Sequence, residues 1–84
     1  MKRDTLHIFN PVIINLGDAI TDQTITSVEE AAEELLTNWS IDDGEYYYEA
    51  VKACLDCITS DGDPDLARMA FVQAAEEAGM SIKR

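Results

Sequence analysis

The segment from Ser27 to Trp39 constrains the fold of this chain most, because it combines a helix start signal with a helical hydrophobic pattern. Ser27-x-x-Glu30 is a capping box, in which the serine hydroxyl and the glutamate carboxylate bond backbone N–H groups that a helix start leaves unpaired. The apolar residues that follow share one helical face: Val28, Ala31, Ala32, Leu35, Leu36 and Trp39. Glutamates occupy the other side: Glu29, Glu30, Glu33 and Glu34. The pattern predicts an amphipathic helix with an acidic outer face.

A predicted β-hairpin precedes this helix. Residues 6–16 are rich in Ile, Val and Phe, which favours a β-strand. The predicted inner face of the strand consists of Leu6, Ile8, Val12, Ile14 and Leu16. Pro11 cannot donate a ladder hydrogen bond, so we expect it at a sheet edge, at a bulge or where pairing begins. Gly17-Asp18 predicts a turn, and residues 19–26 predict a second, half-polar strand that pairs with the first.

A second helix is predicted after a loop at Asp42-Asp43-Gly44. This loop offers an N-cap for a helix over about residues 44–60. The apolar stripe of that helix consists of Tyr47, Ala50, Val51, Cys54, Leu55 and Ile58. The polar run at residues 59–62 (TSDG) then ends the helix.

The third helix has clear signals at both ends. Asp63 as N-cap and Pro64 at the first helical position begin it, and Gly79 ends it. Its apolar face is mostly alanine: Ala67, Ala70, Phe71, Ala74, Ala75 and Ala78. Small side chains permit close backbone approach, so this helix should lie against another element. Residues 80–83 are a candidate third strand that joins the hairpin.

These elements predict one fold class. We expect an α+β fold in the order ββααα(β), in which an N-terminal antiparallel β-hairpin, with or without the C-terminal strand, packs against three α-helices. A chain of 84 residues forms one domain, here residues 1–84, with the ends at 1–5 and 83–84 frayed. Such a domain buries about 60% of its unfolded surface, so its stability margin should be narrow.

The charge of the chain limits its partners. It has 17 acidic and 6 basic residues, for a formal net charge of -11. All the acids lie between Asp4 and Glu77, where the only bases are Lys52 and Arg68. Such a field repels phosphate backbones and anionic membranes and attracts cationic surfaces. We therefore expect no direct nucleic-acid or membrane contact, and a basic protein or a second copy of the chain as partner.

The pattern of the N-terminal region predicts neither a membrane span nor a signal peptide. The longest apolar stretch, residues 6–16, is interrupted by polar residues and is shorter than the roughly 20 residues that a helical span needs. Lys2 and Arg3 precede it, yet the stretch is too polar for a signal peptide and no cleavage site follows. We expect a cytoplasmic protein that begins at Met1.

No catalytic, cofactor-binding or metal-binding residues stand out. Cys54-Leu55-Asp56-Cys57 has the C-x-x-C spacing, but both cysteines fall in a helix interior, which favours buried structural thiols over redox or metal chemistry. His7 is the only histidine, and a zinc site needs four ligands. The carboxylates are spread over solvent faces, and no nucleophile elbow or phosphate-binding glycine loop is present. We expect no cofactor and no enzymatic activity.

The candidate interaction surface comprises Trp39, Tyr46, Tyr48 and Arg68. Consecutive helical side chains point about 100° apart, so Tyr47 faces the core and Tyr46 or Tyr48 must be partly exposed. Exposed aromatics are enriched in interfaces, although they also cover the ends of small cores. We expect the Arg68 guanidinium to pair with carboxylates of Asp61, Asp65 or the first helix, with ligand binding as the alternative.

The ordered set of landmarks resembles a known family. The landmarks are Pro11-Val12, Ser27-Val28-x-Glu30-Ala31-Ala32, Leu35-Leu36 with Trp39, Ala50 with Cys54, Ala67-Arg68-x-Ala70-Phe71 and Ala74-Ala75-x-x-Ala78-Gly79. Over residues 8–82 the chain resembles a domain-of-unknown-function family of short, uncharacterised α+β proteins that is common in alphaproteobacteria. The resemblance implies a hairpin-plus-helices domain, and it implies no activity, cofactor or partner.

Three functional hypotheses follow from these features. The first is a small acidic, non-enzymatic protein-interaction module. The second is an acidic nucleic-acid mimic that inhibits a DNA- or RNA-binding protein. The third is a small-molecule-binding or enzymatic domain; acyl carrier proteins are similar in size and acidity, but their Asp-Ser-Leu attachment site is absent.

Overall fold

A computed structural model describes residues 7–15, 22–37, 39 and 44–83. The elements, in chain order, are β1 (Ile8–Asn15), β2 (Gln23–Ser27), α1 (Val28–Thr37), α2 (Glu45–Ser60), α3 (Pro64–Glu77) and β3 (Ser81–Lys83). This order confirms the predicted α+β fold, and the C-terminal strand is present. The predicted turn at Gly17-Asp18 lies outside the described residues.

The three strands form one antiparallel sheet in the order β2-β1-β3. Val12 pairs with Ile25 on one side of β1, and Ile14 pairs with Ile82 on the other. β3 is short and pairs only with residues 13–15 of β1 in the described part of the chain. Lys83, which we expected in a frayed end, lies within this strand.

An irregularity in β1 corrects the predicted inner face. The register with β2 shifts between Ile8 and Val12, a stretch that contains Pro11. The bulge is one of the three placements predicted for that proline. The irregularity interrupts the alternation of side chains, so Phe9 is buried and Ile8 is exposed. The prediction that Ile8 faces the core is therefore wrong, whereas Val12 and Ile14 do face it.

α1 begins with half of the predicted capping box. The Glu30 N–H donates to Ser27 Oγ at 3.2 Å. The Glu30 carboxylate, however, accepts from the N–H and the hydroxyl of Thr26, at 2.7 and 2.8 Å, and so reaches one residue further back than predicted. This bond keeps the helix start fixed to the end of β2.

The inner face of α1 is rotated from the predicted stripe. Its buried residues are Val28, Ala31, Ala32, Glu34 and Leu35. Glu34 was predicted on the acidic outer face, but the side of the helix that carries it lies beside β2, where it lines a cleft with Thr24 and Ile25. Leu36 was predicted on the core face and is 59% exposed. One side of α1 therefore packs against the sheet, and Leu36 faces solvent.

A residue of α3 caps the start of α2. Gly44 is the N-cap residue and no side chain of its own turn caps the helix. Instead the Glu77 carboxylate accepts from the backbone N–H groups of Tyr46 and Tyr47, at 3.3 and 3.2 Å. A Cβ on residue 44 would overlap Glu77 Oε1, so any other residue there would displace the Glu77 carboxylate from the cap. Asp42 and Asp43, the predicted caps, lie outside the described residues.

α3 begins and ends as predicted. The Asp65 N–H donates to Asp63 Oδ1 at 2.9 Å, with Pro64 in the first turn. At the other end Gly79 has a φ of 78°, and the Met80 N–H donates to the Ala75 carbonyl at 3.0 Å. Helices commonly end in this way, with a left-handed glycine followed by a hydrogen bond that reaches back five residues. The chain then turns directly into β3.

The core lies between the sheet and the three helices. Its apolar members are Phe9, Val12, Ile14, Ile25, Val28, Ala31, Ala32, Leu35, Ala50, Cys54, Cys57, Ala67, Phe71, Val72, Ala74, Ala75 and Met80. Trp39 is half-buried and packs on Phe71 with ring centroids 5.3 Å apart. In the described ranges, no helix has the length and apolar character to cross a bilayer.

Candidate protein-interaction site

The aromatic residues predicted for an interaction surface separate into two groups. Trp39 belongs to the core edge, because it packs on Phe71. Tyr47 is half-buried as predicted, and its hydroxyl donates to the Leu35 carbonyl at 3.0 Å, which joins α2 to α1. Tyr46 and Tyr48 are both exposed. Of these two, only Tyr46 lines the groove between α2 and α3. The structure therefore does not bring the predicted aromatic residues together.

Arg68 has a different partner from the one we expected. Its Nε donates to the Asn10 carbonyl oxygen at 2.9 Å, rather than to the carboxylate of Asp61 or Asp65. Asn10 lies in the irregular stretch of β1, which β3 does not reach. The guanidinium therefore ties α3 to the irregular stretch of β1, which is a structural role.

A groove of about 580 Å³ lies between the outer faces of α2 and α3. Its apolar lining comprises Tyr46, Ala53, Leu66, Met69 and Ala70. Leu66 is 64% exposed and Met69 is 58% exposed, so large apolar surface faces solvent here. Glu45 and Glu49, near the start of α2, and Gln73 complete the lining. We call this feature the α2–α3 groove.

An apolar recess extends the groove toward the turn between the helices. The recess has a volume of about 300 Å³ and shares Ala53 and Leu66 with the α2–α3 groove. Cys57 and Gly62 also line it, and two acids, Asp56 and Asp63, stand at its edge. The groove and the recess together form one apolar strip that runs from Tyr46 to the α2–α3 turn.

The charge around this strip has one sign. The acids at its edges are Glu45, Glu49, Asp56 and Asp63. Within the described residues, no lysine or arginine lines either the groove or the recess. Arg68 lies on the far side of α3, in a neighbouring shallow pocket that shares Met69 and Gln73 with the groove. The strip therefore favours an apolar ligand that carries positive charge at its margins.

Leu66 and Met69 were missed by the sequence analysis, although the sequence holds a signal for them. They occur with Gln73 at i, i+3 and i+7, which places them on one side of α3. The opposite side of the same helix is the alanine-rich face that the core uses. Large apolar residues on the second face of an otherwise amphipathic helix are a pattern that indicates a surface for a partner.

His7 forms a bridge at the opposite side of the α2–α3 turn. Its Nδ1 lies 2.6 Å from Glu29 Oε2, and its Nε2 lies 2.8 Å from Asp61 Oδ1. The His7 backbone N–H donates to Glu29 Oε1 at 3.0 Å. Hydrogen bonds to Glu29 first, and then to Asp61, raise the pKa of His7 above its ordinary value of 6.5. The sequence did not indicate these partners for His7.

The same bridge changes the pKa of the Glu29 carboxyl. Partial burial acts to raise the pKa of Glu29, but the hydrogen bonds from the His7 side chain and backbone outweigh it, so the pKa is lowered overall. Both ring nitrogens of His7 face carboxylate oxygens, so the ring serves as a hydrogen-bond donor in this arrangement. The bridge thus joins the start of β1, the first turn of α1 and the turn before α3.

The two cysteines are free and buried, as predicted for structural thiols. Burial raises the pKa of the Cys54 thiol to about 12. Burial, followed by the charges of Glu29 and Asp61, also raises the pKa of Cys57. The Cys57 thiol donates to the Gly62 carbonyl at 3.3 Å. Across the part of the chain that the structure describes, no group of three or more potential ligands is arranged to hold a metal ion.

Fold and surface together define a small acidic α+β domain, in which a three-stranded antiparallel sheet packs on three helices and leaves an apolar strip between the last two. The chain belongs to the family described as protein of unknown function (DUF982), whose model matches residues 10–82. This match confirms the resemblance to a domain-of-unknown-function family drawn from the sequence. Neither a curated protein nor a solved structure matches the chain.

Proposed function

We propose that this protein is a cytoplasmic, non-enzymatic bacterial interaction module that binds a basic amphipathic helix of a partner protein in the α2–α3 groove. The observation that supports the proposal is the exposed apolar strip with acids along its edges. Amphipathic helices bind grooves of this kind through apolar residues spaced at i, i+3, i+4 and i+7.

The large aliphatic side chains of the groove, Leu66 and Met69, have no role in the core. Leu66 and Met69 point away from the alanine face of α3, and both are more than half exposed. Exposed apolar side chains that form a contiguous patch, rather than standing singly, mark interaction sites. Tyr46 adds an exposed aromatic ring at one end, and aromatic residues are enriched among those that dominate binding energy.

The acids at the edges favour a cationic partner over a second copy of the chain. Homodimerisation through this groove would bring Glu45 and Glu49 of two copies close together, and like charges in contact are unfavourable. A partner helix with Lys or Arg beside its apolar stripe would instead pair with these carboxylates. The net charge of -11 would also accelerate encounter with such a partner.

The apolar strip also favours this function over nucleic-acid mimicry. A mimic needs carboxylates at phosphate-like spacing over one surface, since its target is a groove built for a polyanion. The lining of the α2–α3 groove combines two acids with five apolar residues, so it is not a surface of carboxylates alone. Binding by a mimic would be governed by charge alone, whereas binding in the groove would require its apolar residues.

Site-specific photo-crosslinking in the native host tests the proposal. A benzophenone amino acid is placed at Met69, in the groove, or at Leu36, on α1. The two side chains are matched, at 58% and 59% exposure. We expect a protein crosslinked from position 69 and not from position 36, identified by mass spectrometry and containing a basic amphipathic helix at the crosslinked site.

The identified partner is then tested with purified proteins. Met69→Glu should weaken binding about tenfold or more, because it places a charge on the apolar floor, and Leu36→Glu should leave binding unchanged. The affinity should fall as salt is raised, because the acids at the edges contribute charge pairs. Equal loss in both variants, a crosslink to a second copy, or a partner lacking a basic apolar helix would contradict the proposal.

A further inference from the structure

The His7 bridge joins three elements that are distant in sequence. His7 immediately precedes β1, Glu29 lies in the first turn of α1, and Asp61 is the C-cap residue of α2. The His7 carbonyl also accepts from the Val28 N–H at 2.9 Å, which fixes the backbone of His7 against α1. The imidazole is therefore held in place on the α1 side and reaches the α2–α3 turn with its other nitrogen.

The hydrogen-bond partners identify the protonation state of the ring. Ionised carboxylates only accept hydrogen bonds, and a neutral imidazole carries one N–H and one lone pair. Both ring nitrogens lie within hydrogen-bond distance of carboxylate oxygens, so both must carry a proton. The bridge as built requires the imidazolium form, and the raised pKa of His7 agrees with this geometry.

The two arms of the bridge are unequal. The Glu29 arm is the shorter, at 2.6 Å, and the Glu29 side chain is only 29% exposed. The Asp61 arm measures 2.8 Å and the Asp61 side chain is 93% exposed, so water competes with this bond and screens it. When the ring loses one proton, the remaining proton stays on Nδ1 beside Glu29. The lone pair of Nε2 then faces the Asp61 carboxylate and repels it.

The Asp61 arm holds a turn that covers Cys57. Asp61 has a φ of 56°, in the left-handed region that is uncommon for residues other than glycine. The Gly62 N–H donates to the Cys57 carbonyl at 3.1 Å, and the Gly62 carbonyl accepts from the Cys57 thiol. Gly62 thus packs directly on Cys57, which is buried although it lines the recess at the end of the groove.

We propose that His7 is a proton-operated latch: its imidazolium holds the α2–α3 turn closed over Cys57, and loss of one proton releases Asp61 and gives solvent access to the Cys57 thiol. The charged or titratable groups around the latch are Glu29 on α1, Cys57 on α2, and Asp61 and Asp63 in the turn. Imidazole is the side chain whose ordinary pKa lies nearest neutral pH. The latch does not depend on the proposed partner, and it can be tested on the isolated protein.

Two measurements on the wild-type protein test the latch. NMR of the His7 ring gives its protonation state and the midpoint of its titration. Alkylation with iodoacetamide, read by tandem mass spectrometry, gives the labelling rates of Cys57 and Cys54 in the same sample. Cys54 is fully buried in the same helix and reports global unfolding, and the thiolate fraction of each cysteine rises roughly tenfold per pH unit below its pKa. Each rate is therefore divided by that of an unstructured cysteine peptide at the same pH, and a normalised Cys57 rate above that of Cys54 reports opening of the turn without global unfolding.

We expect the normalised Cys57 rate to rise several-fold between pH 6 and pH 9, with the midpoint that NMR gives for His7, and to stay above the normalised Cys54 rate. In Asp61→Asn the residue still tolerates the left-handed conformation, but the charge that holds the turn is gone. Its normalised Cys57 rate should be high and independent of pH. Asp65→Asn removes the same charge from the first turn of α3, four residues away, and should behave as wild type.

Several outcomes would overturn the latch. One is a neutral His7 ring at pH 6, since the geometry requires two protonated nitrogens. Another is a normalised Cys57 rate that stays flat in wild type or follows a midpoint unrelated to His7. A wild-type response in Asp61→Asn would also exclude the assigned role of Asp61. The wild-type titrations alone decide the proposal should that variant fail to fold.

Discussion

The two faces of α3 use apolar residues in opposite ways. The inner face is built mainly of small residues with Phe71 among them, and it is buried against α2 and the sheet. The outer face carries Leu66 and Met69, which are larger than the alanines and yet exposed. Burial explains the inner residues, because close helix packing needs small side chains. Folding gives no reason for the outer ones, which is why we assign them to binding.

The largest expected effect separates these faces directly. Phe71→Ala should destabilise the domain by about 3–5 kcal/mol, because it opens a cavity beneath Trp39 in a fully buried site. Met69→Ala, two residues earlier on the same helix, should change the free energy of unfolding by less than about 0.5 kcal/mol. Urea unfolding followed by circular dichroism measures both. A similar cost for the two variants would show that the outer face belongs to the core.

A second test concerns the polar contact that sets α3 against α2. Gly44→Ala should cost about 1–2 kcal/mol, because the added Cβ displaces Glu77 from the N–H groups of Tyr46 and Tyr47. Glu77→Ala should cost a similar amount. The two changes remove the same cap, so the double variant should cost little more than either one. Additive costs in chemical unfolding would refute the shared mechanism.

A third test addresses the side of α3 that faces β1. Arg68→Ala should cost about 0.5–1.5 kcal/mol, since it removes the donor to the Asn10 carbonyl. Arg68→Lys should recover only part of this, because a flexible ammonium replaces a planar guanidinium. Unfolding free energies of the three proteins give the comparison. If Arg68→Ala instead weakened partner binding and left the stability unchanged, Arg68 would belong to the interaction surface.

The smallest expected effect is a pH dependence of the melting temperature that comes from the His7 bridge at the α2–α3 turn. The pKa of His7 is raised in the folded protein, so the bridge contributes its full stability below pH 6.5, the ordinary pKa, and this contribution disappears as pH rises through the higher folded pKa. Thermal unfolding should therefore show a melting temperature that falls between pH 6.5 and pH 8.5 in wild type. His7→Gln should lack this decline. An equal decline in both proteins would assign it to other groups.

The sequence predicted the features whose causes are local. The Ser27 hydroxyl, the Asp63 cap and the Gly79 stop each act within a few residues, and each appears in the structure. The order ββαααβ follows from such signals together with hydrophobic spacing. The bulge places Phe9 rather than Ile8 in the core. It depends on how two strands pair, and the spacing of residues in one strand does not specify that pairing.

The candidate site was less predictable because its contacts are remote in sequence. Arg68 and Asn10 are 58 residues apart, His7 and Asp61 are 54 apart, and Glu77 reaches Tyr46 over 31. Each pair exists only after the helices have packed. Tyr46 was identified because three consecutive tyrosines cannot share one face, whereas Leu66 and Met69 needed knowledge of which face the core uses.

The contact between Arg68 and Asn10 also protects a strand from unwanted pairing. β1 is the central strand, but β3 covers only its last three residues, so among the described residues no strand pairs with Ile8 to Val12 on that side. Open strand edges invite added strands from other chains and lead to aggregation. Here Pro11 offers no N–H, and the Asn10 carbonyl is already occupied by a guanidinium. The same arginine that stabilises the bulge thus keeps an exposed edge, next to the exposed side chain of Ile8, from nucleating intermolecular sheets.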